Sequence, residues 1–198
     1  MQFLRMFAAA CALLMAPSAF AQAASPPPPS AAQLDAAQDF LKAALIDTGA
    51  IDASVQQAFA NLGPQMRTNV QAQPYFTQAT PAHQQAVLAY LDRLPAIVLD
   101  EMQQRMPGVV AGGAPAMAQI FSEADARSGA AFLRTPEGRS IFLRSAIQGA
   151  NNATGGAGAI APPTEAETQA ALAFNATPAG QALSAHAEEF SAAILSTM

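Results

Sequence analysis

Tryptophan is absent from this chain of 198 residues, tyrosine occurs twice and cysteine once, and only 12% of the residues carry charge. Each shortage excludes something. Without tryptophan, and with so little tyrosine, the usual stacking platforms for bases and sugars are missing. Nine basic residues face fourteen acidic ones and form no basic run, so the chain cannot neutralise a row of phosphates and is no nucleic-acid binder. The same balance weakens attraction to an anionic membrane surface. Runs of β-branched residues and hairpin dipeptides flanked by alternating apolar residues are also lacking, which leaves a sheet nothing to start from.

Chemistry is equally hard to find. The two histidines, His83 and His186, lie far apart and no HExxH occurs. His186 and Glu189 within HAEEF share a helix face, but one such pair is a solvated face rather than a metal centre. No Gly-x-Ser-x-Gly elbow appears. The carboxylates of Asp100-Glu101 and Glu188-Glu189 are adjacent, so on a helix they diverge by about 100° and do not form a facing pair. The loop GGAGAIAPP lacks the lysine and the strand-helix context of a phosphate cradle. The sequence predicts no catalytic residues, no metal and no cofactor, and therefore no enzyme.

What is present begins with MQFLRMFAAACALLMAPSAFAQ. A positive start at Arg5, an apolar run from Met6 to Met15 and small residues around Ala19-Phe20-Ala21 make the layout of an export signal, with cleavage expected after Ala21. The apolar run is too short for a permanent transmembrane helix, and Cys11 sits inside that run rather than closing it as a lipidated cysteine would. An exported chain cut there holds no cysteine, so its core rests on packing alone. Its eight basic and fourteen acidic residues give a net charge of −6. Periplasmic or secreted localisation follows, with residues 1–21 as leader and 22–30, QAASPPPPS, as an extended Pro-rich spacer. Residues 31–198 form one domain.

That domain reads as all-α. The pattern predicts a first helix over about 31–47, capped by Ser30, striped by Leu34, Ala37, Leu41 and Leu45 and ended by Gly49. A second is expected from an Asp52 cap, with Val55, Phe59 and Leu62 inside and Gly63-Pro64 closing it. A weaker third falls within 64–73. Thr80-Pro81 opens a fourth, with Val87, Leu88 and Leu91 on its apolar side. Pro95 should break or kink it, and Pro107-Gly108 should end the segment IVLDEMQQRM beyond that break.

The most informative feature is a phrase written twice. FLRTPEG (132–138) returns as FNATPAG (174–180), and SEADARSGAAFLRTPEGR (122–139) overlays TEAETQAALAFNATPAGQ (164–181) at an offset of 42 with seven of eighteen positions identical. The two units lie near 122–148 and 164–196. Ser122 with Asp125, and Thr164 with Glu167, have the spacing of capping boxes. Small residues ahead of each phenylalanine (Ala124, Ser128, Ala131 before Phe132; Ala166, Ala170, Ala173 before Phe174) are expected to let a neighbouring helix approach closely. Pro136 and Pro178 then stop one helix and start the next, which Thr135 and Thr177 can cap. Gly138 and Gly180 leave room at the corner. The helix after the second corner carries Gly180, Leu183, Ala187, Phe190 and Ile194 as a packing stripe. Between the units, 148–163 reads as a loose Gly-rich loop, and its Asn152-Ala153-Thr154 sequon as an accident.

FSEADARSGAAFLRTPEG (121–138) resembles the core motif of an exported bacterial helical family catalogued as domain of unknown function 2059, with Ala126 in place of the usual leucine and Leu133 in place of tyrosine. The resemblance is convincing over about 80–148 and implies an exported helical domain; it carries over no reaction and no ligand.

Arg127, Arg134, Arg139 and Arg144 are half of the basic residues left after export and are not repeated in the second unit. They are a candidate patch for an anionic partner, against the alternative of ordinary surface pairing with Glu123, Asp125 and Glu137. The function expected is a non-enzymatic binding module of the cell envelope whose partner is an envelope protein. The alternative is a carrier of a small apolar ligand held between helices near Met102, Met106 and Met117.

Overall fold

A computed structural model describes residues 28–156, 160–187 and 189; the leader and the positions of Phe190 and Ile194 lie outside them. Among the described residues every regular element is helical. Helix α1 (Ala31–Lys42) begins with a complete capping box, in which the Ser30 hydroxyl accepts from the Gln33 N–H and the Gln33 side chain accepts from the Ser30 N–H. It runs on through a π-helical turn at Ala43–Asp47. There the Thr48 N–H donates to the Ala43 carbonyl, and the Thr48 hydroxyl, fully buried, donates to the Ala44 carbonyl at 2.7 Å. Gly49, at φ 74°, takes the left-handed turn that ends the unit.

Gly49 also occupies the cap position of α2 (Ala50–Gln71), so Asp52 lies within the first turn instead of capping it. Gly63 and Pro64 do not close α2, which continues to Gln71 and absorbs the expected third helix. A single turn, α3 (Pro74–Thr77), follows. Then α4 runs from Pro81 to Ile120 without interruption, through Pro95, Pro107 and Pro115. The expected breaks fail for a physical reason. A proline takes its missing N–H from the carbonyl four residues earlier, and for Pro107 and Pro115 those residues, Gln103 and Ala111, are exposed and solvated. The helix also keeps one inward stripe (Leu88, Leu91, Val98, Met102, Met106, Val109, Gly113, Met117) that is half-buried at the start and buried from Met106 onward, and this packing outweighs the lost bonds.

Helices α5 (Glu123–Arg134), α6 (Pro136–Thr154), α7 (Glu165–Asn175) and α8 (Pro178–Ala185) complete the order. The segment 148–154, expected as loop, is the end of α6, which stops at Gly155 with φ 67°. Tertiary contacts hold it: the Asn61 side-chain amide on α2 donates to Asn151 Oδ1 at 2.9 Å and Thr154 Oγ1 at 2.8 Å.

The core gathers α1, the second half of α4, α5 and α8. Leu41 and Met117 are its largest fully enclosed apolar side chains, and Phe40 tilts against Phe121 at 5.5 Å. Each such residue contributes about 1.5–3 kcal/mol by leaving water. Gly129 admits Phe40, since a Cβ there would lie 2.7 Å from the ring. The buried face of α5 is Ala126, Gly129, Ala130 and Leu133; the expected small-residue stripe of Ala124, Ser128 and Ala131 faces solvent. On α7, Ala166 and Ala173 are likewise exposed, whereas Phe174 is buried.

Candidate functional site

At both Thr-Pro-x-Gly phrases the chain turns a corner between two helices, and the threonine does the same two things each time. Thr135 Oγ1 accepts from the Gly138 N–H at 3.0 Å and donates to the Phe132 carbonyl at 2.7 Å. Thr177 Oγ1 accepts from the Gly180 N–H at 3.1 Å and donates to the Phe174 carbonyl at 2.6 Å. Each hydroxyl thus caps the following helix while satisfying the end of the preceding one. Pro136 and Pro178 hold the first helical position. A Cβ on Gly138 would overlap the Phe132 carbonyl oxygen, and one on Gly180 the Phe174 carbonyl oxygen. The two phenylalanines stack on each other, with centroids 4.1 Å apart and planes within 4°, and the corner encloses only about 20 Å³ of free space. Each threonine hydroxyl gives its proton to a backbone carbonyl and accepts a backbone N–H.

The two caps at the starts of these units differ. Thr164 and Glu167 form a full box, with both backbone N–H groups answered. Ser122 accepts from the Asp125 N–H at 3.1 Å, but its hydroxyl then donates to the Asp125 carboxylate at 2.5 Å. Aspartate, one methylene shorter than glutamate, is held there by the hydroxyl, so the expected reciprocal box is incomplete.

Glu167 does more than cap. It is buried and accepts from the Ser140 hydroxyl on α6 and from Arg144 Nη2 at 2.9 Å. The Ser140 hydroxyl and the Thr164 N–H, followed by Arg144, hold its carboxyl down at about 2.

The four arginines do not make one free basic patch. Arg134 forks onto Asp39 at 2.7 and 2.9 Å and reaches Asp47 at 3.1 Å, tying α5 to α1. Hydrogen bonding to Arg134 lowers the pKa of Asp39, Lys42 is the leading cause at Asp47, and the Arg134 guanidinium is held more firmly protonated, first by Asp39. Arg139 Nε donates to the Thr48 carbonyl at 3.0 Å. Arg127 pairs with Glu123 and Asp35. Arg144, with 15% of its side chain exposed, holds Glu167 and the Ala161 carbonyl. Their partners include Asp39, Asp47 and Glu167, and neither Asp125 nor Glu137 is among those partners. Sequence reasoning missed the Asp39 and Asp47 partners because they lie 95 and 87 residues away.

The open part of the molecule is elsewhere. Helix α6 ends at Thr154, beside Asn61 of α2, and farther along α2 its residues share a cleft with the first half of α4. We call this hairpin, α2–α3–α4 as far as Gln103, the arm; Gln103 Nε2 meets Asp52 Oδ1 at 3.2 Å at its base. Its facing residues, among them Phe59, Leu62, Met66, Leu88 and Leu91, are only half-buried. A cleft of about 420 Å³ opens between Pro64 and Pro95, floored by Phe59, Ala60, Met66 and Leu91 and edged by the Arg67–Asp92 ion pair. Ala60 and Leu91 are the residues whose carbonyls the two prolines leave without a helical partner. By contrast Met106 and Met117 are buried core residues and line neither this cleft nor the corner cavity; Met102 is half-buried.

Both tyrosines are on the arm and exposed, Tyr75 by 62% and Tyr90 by 57%. Among the described residues neither histidine stands in a cluster: His83 is exposed at the start of α4, and His186 pairs with Glu189. Among the described residues no three His, Cys, Asp or Glu side chains gather as a metal site requires. No helix among the described residues is long and apolar enough to cross a membrane. Compared with protein-family models, curated proteins and solved structures, the chain matches none.

Proposed function

We propose that this protein is an exported, non-enzymatic binding module of the cell envelope, whose interacting part is the arm. The observation that carries this reading is the contrast in side-chain use. The arginines and the threonine hydroxyls of the corners are engaged internally, whereas the arm leaves apolar stripes half-covered and both tyrosines in solvent. Half-covered stripes beside exposed aromatics are the mark of a contact surface. Export rests on the residue pattern of the first 21 positions, and the resemblance of residues 121–138 to the exported family catalogued as domain of unknown function 2059 belongs to the same proposal.

A photo-crosslinking residue at Tyr75 or Tyr90, introduced into the protein in its native envelope, tests the reading. Discrete adducts from these positions, absent when the crosslinker is placed at Arg127, are expected. Uniform absence of adducts from the arm would refute it. The carrier alternative gains one specific support, the cleft between Pro64 and Pro95. It predicts a small molecule that travels with the gently purified protein in its native mass and is lost when Leu91→Arg fills the cleft.

A further inference from the structure

Two of the prolines inside helices border one recess. Pro64 of α2 and Pro95 of α4 line the same cleft, together with Ala60 and Leu91, the residues four positions earlier. In a helix each carbonyl points along the axis toward the N–H four residues on, and proline has none to offer. Both carbonyls that lose their helical donor in this way therefore lie at the cleft. Pro107 and Pro115, also within α4, do not line it.

The cleft is otherwise floored by apolar side chains, Phe59, Met66 and Leu91 being the large ones. Among the described residues that line it, Arg67 on α2 and Asp92 on α4 alone are charged, and they pair across its edge. Their side chains are 43% and 58% exposed, so both charges are open to a ligand. At about 420 Å³ the cleft falls within the roughly 300–1,000 Å³ of small-molecule sites, which combine an apolar lining with a few placed polar groups.

Charge selects the occupant. An ion pair sets a positive and a negative group side by side. A lone anion drawn to Arg67 is repelled by Asp92, a lone cation drawn to Asp92 is repelled by Arg67, and a neutral molecule uses neither. A molecule that carries both charges side by side, in the reverse order, pairs with both and leaves the ion pair intact. An α-amino acid has that form, with its ammonium and carboxylate on one carbon. In a dipeptide a further peptide unit, about 3.8 Å from one Cα to the next, separates them. The carboxylate of the amino acid accepts from the Arg67 guanidinium. Its ammonium has three donors, more than one contact with Asp92 uses, and the carbonyls of Ala60 and Leu91 supply further acceptors. Its side chain covers the apolar floor, where Met66, flexible and polarisable, adapts to more than one shape.

From these observations we infer that the cleft between Pro64 and Pro95 is a binding site for a single zwitterionic α-amino acid with an apolar side chain, such as leucine, methionine or phenylalanine. This names the ligand class for the carrier reading of the cleft and rests on that reading.

Isothermal titration calorimetry of the purified full chain with L-leucine is the test. The comparison probes are glycine, which lacks the apolar side chain, isopentylamine, which lacks the carboxylate, 4-methylpentanoate, which lacks the ammonium, and 4-methyl-1-pentanol, which lacks both charges. Saturable binding of leucine is expected, with every other probe weaker by about 10-fold or more. Arg67→Gln and Asp92→Asn should each weaken leucine binding by about 10-fold. Both side chains reach solvent, so the helical circular-dichroism signal and melting temperature should be retained. Any probe that matches leucine, or leucine binding unmoved by both substitutions, overturns the inference. If the matching probe is the alcohol, the cleft remains a carrier site for neutral apolar molecules. No binding of any probe at about 10 mM overturns the inference and the carrier reading together, and adducts from Tyr75 or Tyr90 would then support the arm as a contact surface alone.

Discussion

The corner region and the arm are built from the same residue types and use them in opposite ways. Around the corners, α5 to α8 and α1 are held by side chains with specific partners: threonine on a glycine N–H, phenylalanine on phenylalanine, arginine on aspartate. In the arm the helices face each other through half-covered apolar residues, and prolines sit within both of them. Gly129, Gly138 and Gly180 in the first region each face a neighbour too close for a Cβ. A glycine in the second is an empty position. The difference separates what the fold needs from what it leaves available.

Matched substitutions can break that comparison. The largest effect is expected at Gly138→Ala, whose methyl group would run into the Phe132 backbone and crowd the Thr135 hydroxyl; a loss of about 3 kcal/mol in urea unfolding is expected, with Gly180→Ala behaving alike. If Gly138→Ala were neutral, the corner would be far looser than described. Glu167→Gln ranks next, at about 3 kcal/mol, because it leaves the enclosed Arg144 without its carboxylate.

Acid should reproduce the loss at Glu167. Its carboxyl titrates at about 2 in the folded protein against an ordinary 4.5, so the unfolded chain binds the proton first. The stabilisation is complete above about 4.5 and disappears as pH falls toward about 2. Stability measured across that window should slope less in Glu167→Gln than in the parent; equal slopes would remove Glu167 from the account.

A smaller loss, about 1 kcal/mol, is expected for Arg134→Ala, since its side chain is 39% exposed and solvent screens the pairs it makes with Asp39 and Asp47. The last substitution should have the opposite sign. A Cβ on Gly63 in α2 meets nothing within 4 Å, so Gly63→Ala should raise stability by about 0.5–1 kcal/mol through helix propensity. Destabilisation there would mean that the arm is packed as tightly as the corner.

The same contrast explains what could be read from the residues. Helix starts at Ser30, Thr80, Thr135 and Thr177 were legible because a cap is a local device, a hydroxyl three residues from the N–H it accepts. The all-α class was legible from composition. Helix ends were not, wherever a proline or glycine lay on a tolerant face. Pro107 and Pro115 turn their freed carbonyls to water, and Gly63 meets no neighbour. Residues 148–154 looked too polar and glycine-rich for helix until Asn61, about ninety residues away, supplied their partner. The arginines illustrate the limit most clearly. Their number was visible and their partners were not, because an ion pair between α1 and α5 depends on how the bundle closes. The arm itself left no motif to find, being defined by neighbours that the fold does not provide.

Hydrogen exchange on dilute protein measures the contrast most directly. Amides of α2 and α4 between Leu62 and Val98 should open by local fluctuation and exchange at least 100-fold faster than those of α5 and α6 between Ala126 and Ala150. Uniform protection across both regions at low concentration would contradict the division into a stapled body and an open arm.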